Sequence, residues 1–328
     1  MTQALYPLQF NTIFKDKLWG GQKINTHLGK QFQPLPNCGE TWEVSAVPGN
    51  VSVVTNGPLE GQGLDALVQQ HQGQLVGHKV YQRFGNEFPM LIKFLDAAQD
   101  LSIQVHPNDA LAGARHNSLG KTEMWYIIQA DEGASLITGF NKELTKEEYL
   151  EYFNSGRLEE VLNREPVQAG DVFYIPAGRV HTIGQGILLA EIQQSSDVTY
   201  RIYDFDRVDA QGNKRELHTE QAVDAIDYKH YNQYKTTYAD AQNEVVKLVQ
   251  SPYFTTNKLA YQQTVTRNYE HIDSFIIYVC YEGTCTLNAG GHSINLAKGN
   301  TVLLPAALDT ATIEPQPGVG LLETYVAL

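Results

Sequence analysis

Apolar and polar positions alternate with a period of two along most of this chain, in short runs bounded by Gly, Pro, Asn or Asp, the pattern of half-buried β-strands. Runs at 51–55, 90–95, 101–106, 124–128, 172–175 and 187–192 predict strands. Helical periodicity is scarce. It predicts helices at 64–71, 145–153, 158–162 and 219–226, with Thr145 as N-cap of the second and Glu148 placed for a capping box. The expected fold is all-β dominated, built of barrels, with a small helical insertion near 141–163.

A repeat supports two barrels in tandem. Tyr126-Ile-Ile-Gln-Ala-Asp-Glu-Gly133 resembles Ile276-Ile-Tyr-Val-Cys-Tyr-Glu-Gly283, and Gly170-Asp-Val-Phe-Tyr-Ile-Pro-Ala177 resembles Gly299-Asn-Thr-Val-Leu-Leu-Pro-Ala306. Both copies carry a Glu-Gly turn and then Gly, five residues, Pro-Ala. Gly133 and Gly170 lie 37 positions apart, against 16 between Gly283 and Gly299, and the helical insert accounts for the excess. The polar stretch from Asp204 to Asn243 separates the copies, so the chain is expected to divide into residues 1–230, a metal-binding catalytic domain, and 231–328, a second barrel without a metal site. Thr310 stands where the first copy has His181, and Asp273 is the acid in a place comparable to Glu123.

That site rests on spacing. Gln104 and His106 are two apart on one strand and so share a face, as do Lys121 and Glu123 on the next; His181 follows the Pro-Ala-Gly turn. Gln104, His106, Glu123 and His181 form a candidate cage for one divalent metal. Two imidazoles, a carboxylate and an amide leave a site of about +1, which favours Zn2+ over iron. His27, His71, His78, His116, His218, His230 and His271 lack ligand-type neighbours at strand period. A cation beside Lys121 would disfavour its ammonium form, which makes Lys121 a candidate base. Lys93 is embedded in the apolar run 90–95, where an ammonium requires an anionic partner. Asp197 and Arg201 sit four apart after a predicted strand, as in a turn salt bridge or a site.

Composition narrows the class. The 328 residues, 42% hydrophobic and 19% charged, are those of an ordinary globular protein. A formal charge of −13 argues against nucleic acid as a partner, and an anionic small substrate would need a local cationic pocket. Cys38, Cys280 and Cys285 cannot all pair within one chain, so free thiols in a reducing compartment are expected. No basic-then-apolar leader and no apolar run near 20 residues is present, so no membrane association and a cytoplasmic location are expected, with oligomeric state open.

The spacing Gly170-x5-Pro-x-Gly-x2-His181 resembles the second motif of the cupin barrels. Together with Ser102-Ile-Gln104-Val-His106-Pro107, Lys121-Thr-Glu123-Met124 and Ser195-Ser-Asp197-x3-Arg201, it is similar to the type I, zinc-dependent mannose-6-phosphate isomerases in their short bacterial form. Trp19-Gly-Gly, Gly39-Glu-Thr-Trp-Glu43, Lys93-Phe-Leu-Asp96 and Glu216-Leu-His-Thr-Glu-Gln-Ala fit the same pattern, and the likeness runs from about 7 to 230. The chain departs at Gly120 and at Ile183, where long forms often carry histidine and tyrosine.

The resemblance implies tandem cupin-type jelly rolls and zinc on Gln104, His106, Glu123 and His181. It also implies reversible conversion of mannose 6-phosphate to fructose 6-phosphate through a cis-enediol. In that reading Lys121 shuttles the proton between C2 and C1 and Asp197 assists ring opening, or the two exchange these roles, and Arg201 supplies positive charge. Lys93 and Arg201 hold the phosphate, with Ser102 beside it or beside the metal ligands. Two other readings stand: a metal-dependent cupin oxygenase, which a Gln104 ligand disfavours, and a non-catalytic sugar-phosphate-binding cupin, which has no need of Lys121, Asp197 and Arg201 together.

Overall fold

A computed structural model describes residues 4–209 and 211–328. Most strands of the first part of the chain fall into two sheets, and from Met90–Ala97 to Tyr200–Tyr203 the chain passes repeatedly from one to the other. The six-stranded sheet runs, edge to edge, Ile13–Lys15, Glu40–Val44, Met90–Ala97, Ile187–Gln194, Glu123–Ala130, Val172–Ile175. Facing it, the five-stranded sheet runs Tyr200–Tyr203, Ile103–Val105, His181–Thr182, Ser135–Phe140, Leu162–Pro166. The pairings within both are antiparallel, and this shuttling of the chain between two sheets is the jelly-roll arrangement. Met90–Ala97 and Ile187–Gln194 are buried along their whole length, which is why they read as near-continuous apolar runs.

The last part of the chain forms a seven-stranded sheet around Thr310–Tyr325, which pairs with Thr255–Tyr261, Val265–Asn268 and Ile276–Ala289. Its apolar interior includes Leu259, Tyr278, Leu287, Leu304 and Leu321. A larger apolar cluster joins the two halves, with Leu8, Phe94 and Tyr126 packed among Phe275, Leu303 and Leu322. Leu8 also exchanges backbone hydrogen bonds with Leu303 at 2.8 and 2.9 Å. The chain after 230 stays on the first barrel for some distance: Tyr234 Oη donates to the Phe140 carbonyl, Lys235 pairs with Asp171, and Tyr238 Oη donates to the Gly170 carbonyl. The first strand of the last sheet is Val245–Gln250.

Helices Leu64–His71, Lys146–Asn154 and Thr219–Ala225 lie where periodicity predicts them, and both hydrogen bonds of the Thr145–Glu148 capping box are made. Three local expectations are corrected. The stretch 158–162 is a 3-10 turn, Leu158–Val161, cut off where the backbone becomes extended at Leu162 to begin the strand Leu162–Pro166. The run 51–55 forms only the hairpin strand Asn50–Val51 and isolated bridges at Val53 and Val54. Glu282-Gly283 is no turn: Ile276–Ala289 runs straight through it, with Glu282 and Gly283 paired between bulges at Tyr281 and Thr284, whereas Glu132-Gly133 turns between two strands. Helix Asp109–His116 goes unsignalled in the pattern because it buries only Ala112; Asn108 caps it by accepting from Leu111 N–H. Among the described residues no helix is long and apolar enough to cross a membrane.

Candidate active site

The two sheets bring the candidate ligands together from opposite sides. Gln104 pairs directly with His181 in one sheet, and Glu123 starts the strand of the other that lies between Ile187–Gln194 and Val172–Ile175. His106, Glu123 and His181 are each at most 1% exposed, and their ligand atoms all lie within 4.8 Å of one another. His106 Nδ1–H donates to the Val198 carbonyl (3.0 Å) and His181 Nδ1–H to the Arg179 carbonyl (2.8 Å). Those bonds fix the tautomers and turn both Nε2 lone pairs toward Glu123, at 3.5 and 3.4 Å from its oxygens. Burial lowers both imidazoles, His181 to about 4 and His106 well below its ordinary range, so both are neutral at physiological pH.

Glu123 is the opposite case. Burial and the nearby Glu191 raise its carboxyl above the usual range, against the pull of Lys121 and Lys93. Neither of its oxygens, nor His106 Nε2, has a hydrogen-bond partner. Buried polar atoms without partners are costly, and here they converge on one point with the donor set of a divalent cation. The residues therefore fit a metal. Gln104 stands beside them with its amide NH2 donating to His181 Nε2 (3.3 Å) and its oxygen accepting from Ser102 Oγ (3.3 Å), so a half-turn of the amide would present that oxygen to a cation.

A cavity of about 350 Å3 leads to this cluster, lined by Trp19, Trp42, Leu101, Ser102, Gln104, Ile183 and Thr199 together with charged side chains. Lys17, Lys93, Lys121, Arg201 and Arg215 face it against Glu40, Glu191 and Asp197. Five cations against three carboxylates make a local positive field in a chain of net −13. Lys121 Nζ lies 3.4 Å from Glu123 Oε2. Asp197 is exposed at the rim and makes no ion pair with Arg201 among the described residues. Arg201 Nη1 donates to the Glu216 carbonyl (2.8 Å), while its buried Nε has no partner. Burial and Arg215 lower the Arg201 pKa.

The anion expected for Lys93 belongs to the chain itself. Lys93 Nζ lies 3.2 Å from Glu191, 3.9 Å from Glu40 and 5.1 Å above the Trp42 ring. Burial opposes its charge, but Glu191 and Glu40 more than compensate and raise its pKa. Glu40 shows the same contest: burial pushes it up, yet Lys93, Lys17 and the Trp42 N–H bring it down to about 2. Trp125 Nε1–H donates to Glu191 at 2.9 Å. Spacing arguments give Glu40, Glu191 and Arg215 no role. Glu191 was open to discovery by the logic applied to Lys93, since it is the one charge inside the apolar run 187–192 and pairs with Lys93 across the strands.

The sequence of the barrel matches the catalytic-domain model of type I phosphomannose isomerase over residues 7–143, and residues 244–318 match the cupin domain of mannose-6-phosphate isomerase. A mannose-6-phosphate isomerase of Streptococcus mutans is 39% identical over 91% of this chain and 92% of its own length. The chain belongs to the type I phosphomannose isomerase family. The crystal structure of the mannose 6-phosphate isomerase of Bacillus subtilis superposes with a TM-score of 0.87 at 35% identity, covering 97% of this chain and 99% of that one. The apo mannose 6-phosphate isomerase of Salmonella typhimurium shares the fold at 17% identity and a TM-score of 0.79, covering 99% of this chain and all of that one.

Proposed function

We propose that this chain interconverts mannose 6-phosphate and fructose 6-phosphate in the cytoplasm, with one Zn2+ on Gln104, His106, Glu123 and His181. The observation that carries this reading is the buried His106–Glu123–His181 cluster at the foot of a cationic pocket, in a chain whose full-length relatives bear that activity by name. Bound there, zinc would supply fixed positive charge for the developing enediolate, and no redox chemistry.

The residues around it do the rest. Opening the pyranose requires a proton delivered to the ring oxygen and one removed from the anomeric hydroxyl, work assigned to Asp197 at the rim. In the open chain Lys121 takes the proton from C2 and returns it to C1, while the hydroxyl proton moves from O2 to O1; the cis-enediol lies between. Arg201 offers an unpartnered buried Nε–H to an anion, and its planar fork suits a phosphate. Lys93, with its charge already balanced by Glu191 and Glu40, is better suited to sugar hydroxyls than to the phosphate assigned to it above. Ser102 Oγ, which donates to the Gln104 oxygen, would accept from the amide NH2 instead once a half-turn presents that oxygen to the metal.

The test is a coupled assay with mannose 6-phosphate on protein as purified, after chelation, and after return of Zn2+. Turnover should vanish on chelation and come back with zinc. Full activity in metal-free protein, or none in zinc-loaded protein, would sink the reading; zinc-loaded protein that binds the phosphosugar without turnover would leave the binding-protein alternative in its place.

A further inference from the structure

His181 sits at the end of a short loop whose backbone is pinned at each residue. Gly178 N–H donates to the His106 carbonyl (2.9 Å), and the Gly178 carbonyl accepts from Asp227 N–H (2.7 Å). The Val180 carbonyl accepts from Gly139 N–H (2.7 Å). Between them lies Arg179, whose carbonyl holds His181 Nδ1–H. The Arg179 side chain is buried, 9% exposed, and has no carboxylate partner among the described residues. A guanidinium buried without an anion needs another source of stabilisation. Nη1 donates to the Tyr174 carbonyl (3.4 Å), and two aromatic rings flank the group: Arg179 Cζ stands 4.5 Å from the Tyr231 ring centroid and 4.9 Å from that of Tyr234.

Both tyrosines come from the segment after 226 that crosses the outside of the barrel. Tyr234 Oη donates to the Phe140 carbonyl (2.7 Å) and accepts from Tyr231 N–H (3.2 Å), and Tyr231 Oη donates to Asp227 (2.7 Å). The Tyr234 ring also covers Gly139, where a Cβ would approach it to 2.5 Å, and Gly139 is the residue whose N–H holds Val180. One segment thus touches both anchors of the His181 loop.

We infer that residues 227–235 act as a strap whose Tyr231 and Tyr234 clamp Arg179, so that the Arg179 carbonyl holds the His181 imidazole in its metal-binding orientation. Arg179, Tyr231 and Tyr234 are positioning residues. The inference rests on the metal reading above. Partners that orient a liganding histidine contribute about 10–100-fold to metal affinity when lost.

The experiment compares Zn2+ affinity of full-length protein, by competition with a chromophoric chelator, for the unsubstituted chain, Tyr231→Phe, Tyr231→Ala and Arg179→Met. Cobalt-substituted samples give the visible spectrum as a second readout. Tyr231 is 37% exposed, so its substitution should leave the barrel folded. Tyr231→Phe keeps the ring and should bind within about twofold of the unsubstituted chain. Tyr231→Ala and Arg179→Met should bind about tenfold more weakly, with an altered cobalt spectrum. Affinity and spectrum unchanged in folded Tyr231→Ala and Arg179→Met would overturn the clamp while leaving the metal reading intact. Equal losses in Tyr231→Phe and Tyr231→Ala would overturn it too, placing the effect on the hydroxyl. An unsubstituted chain that takes up no divalent metal would overturn the metal reading and the clamp with it.

Discussion

The two barrels carry a buried glutamate at the same place in their strand ladders and use it differently. Gly170 N–H donates to the Ile127 carbonyl and Gly299 N–H to the Cys280 carbonyl, both at 2.8 Å, so the two copies superpose in register. In that register Glu191 lies between Trp125 and Lys93, and Glu323 between Tyr278 and Asn257. Glu323 is fully enclosed and fully satisfied: Arg267 donates to it twice at 2.9 Å, Tyr269 Oη at 2.6 Å and Asn257 at 2.9 Å. Glu191 receives the Trp125 N–H, but its other oxygen has only the charge of Lys93 beside it, and Glu123 nearby has no hydrogen bond at all. The catalytic barrel leaves polar atoms open to a ligand; the C-terminal barrel closes its network on itself.

The ligand positions show the same divergence. Ile175 lies opposite Glu123, and its counterpart Leu304 lies opposite Ile276. Ile276, not Asp273, is therefore the register equivalent of Glu123, and the sequence match of Asp273 was displaced by three. Asp273 instead accepts from His78 and Lys79 N–H at the start of helix His78–Phe84. Where His181 pairs with Gln104, Thr310 pairs with Asn268. Asn268, Ile276 and Thr310 are no zinc set, and we propose that the C-terminal barrel is metal-free and structural.

The largest test of this contrast removes the ligand itself. His181→Ala should bring zinc content, expected at one per chain in the unsubstituted protein, to background and turnover with it, because one of the four proposed ligands is gone. Full zinc occupancy in the folded variant, or a second metal near Thr310 in anomalous diffraction, would break the comparison. Next in size is Lys121→Ala, which should cost on the order of 10²–10⁴ in kcat with zinc retained, the range for a positioned acid-base group. Product formed in D2O should carry deuterium at a level between none and complete. Near-full activity of the variant with no exchange would move the proton transfer elsewhere, Asp197 being the next group to substitute.

Much of this was legible in the sequence, for identifiable reasons. Strand alternation puts Gln104 with His106 and Lys121 with Glu123 without any knowledge of the fold, because side chains two apart must share a face. Long-range pairing has no such local mark. The Glu191–Lys93 and Lys93–Glu40 pairs and the Arg179–Tyr231 clamp join residues 98, 53 and 52 positions apart, and nothing near either partner says which residue the other is. The Glu282-Gly283 error has a similar cause: the same dipeptide fits a turn or a paired strand, and only the continued pairing of Ile276–Ala289 with Thr310–Tyr325 decides which.

A closed network should affect stability and not chemistry. Glu323→Gln leaves Arg267 without its anion in a largely buried setting, for which the cost is about 3–5 kcal/mol. Denaturant unfolding should show that loss while kcat of the zinc-loaded folded protein stays within about twofold. A fall in kcat with stability unchanged would mean that the second barrel takes part in turnover.

The smallest effect separates the barrels by pH. Glu40 has its folded pKa brought from an ordinary 4.5 down to about 2 by Lys93, Lys17 and the Trp42 N–H, which overcome its burial. A depressed carboxyl stabilises the fold above its unfolded pKa, and that stability is lost as pH falls through the window from about 4.5 to about 2. The shift corresponds to roughly 3 kcal/mol at neutral pH. Glu40→Gln should therefore be less stable than the unsubstituted chain by roughly that amount at pH 7, with the gap narrowing below pH 5 and nearly closed by pH 2. The comparison uses the difference between the two proteins at each pH, so acid effects common to both cancel. A gap that stays constant from pH 7 to pH 3 would show that Glu40 contributes through its contacts alone, and that its carboxylate is not what balances Lys93.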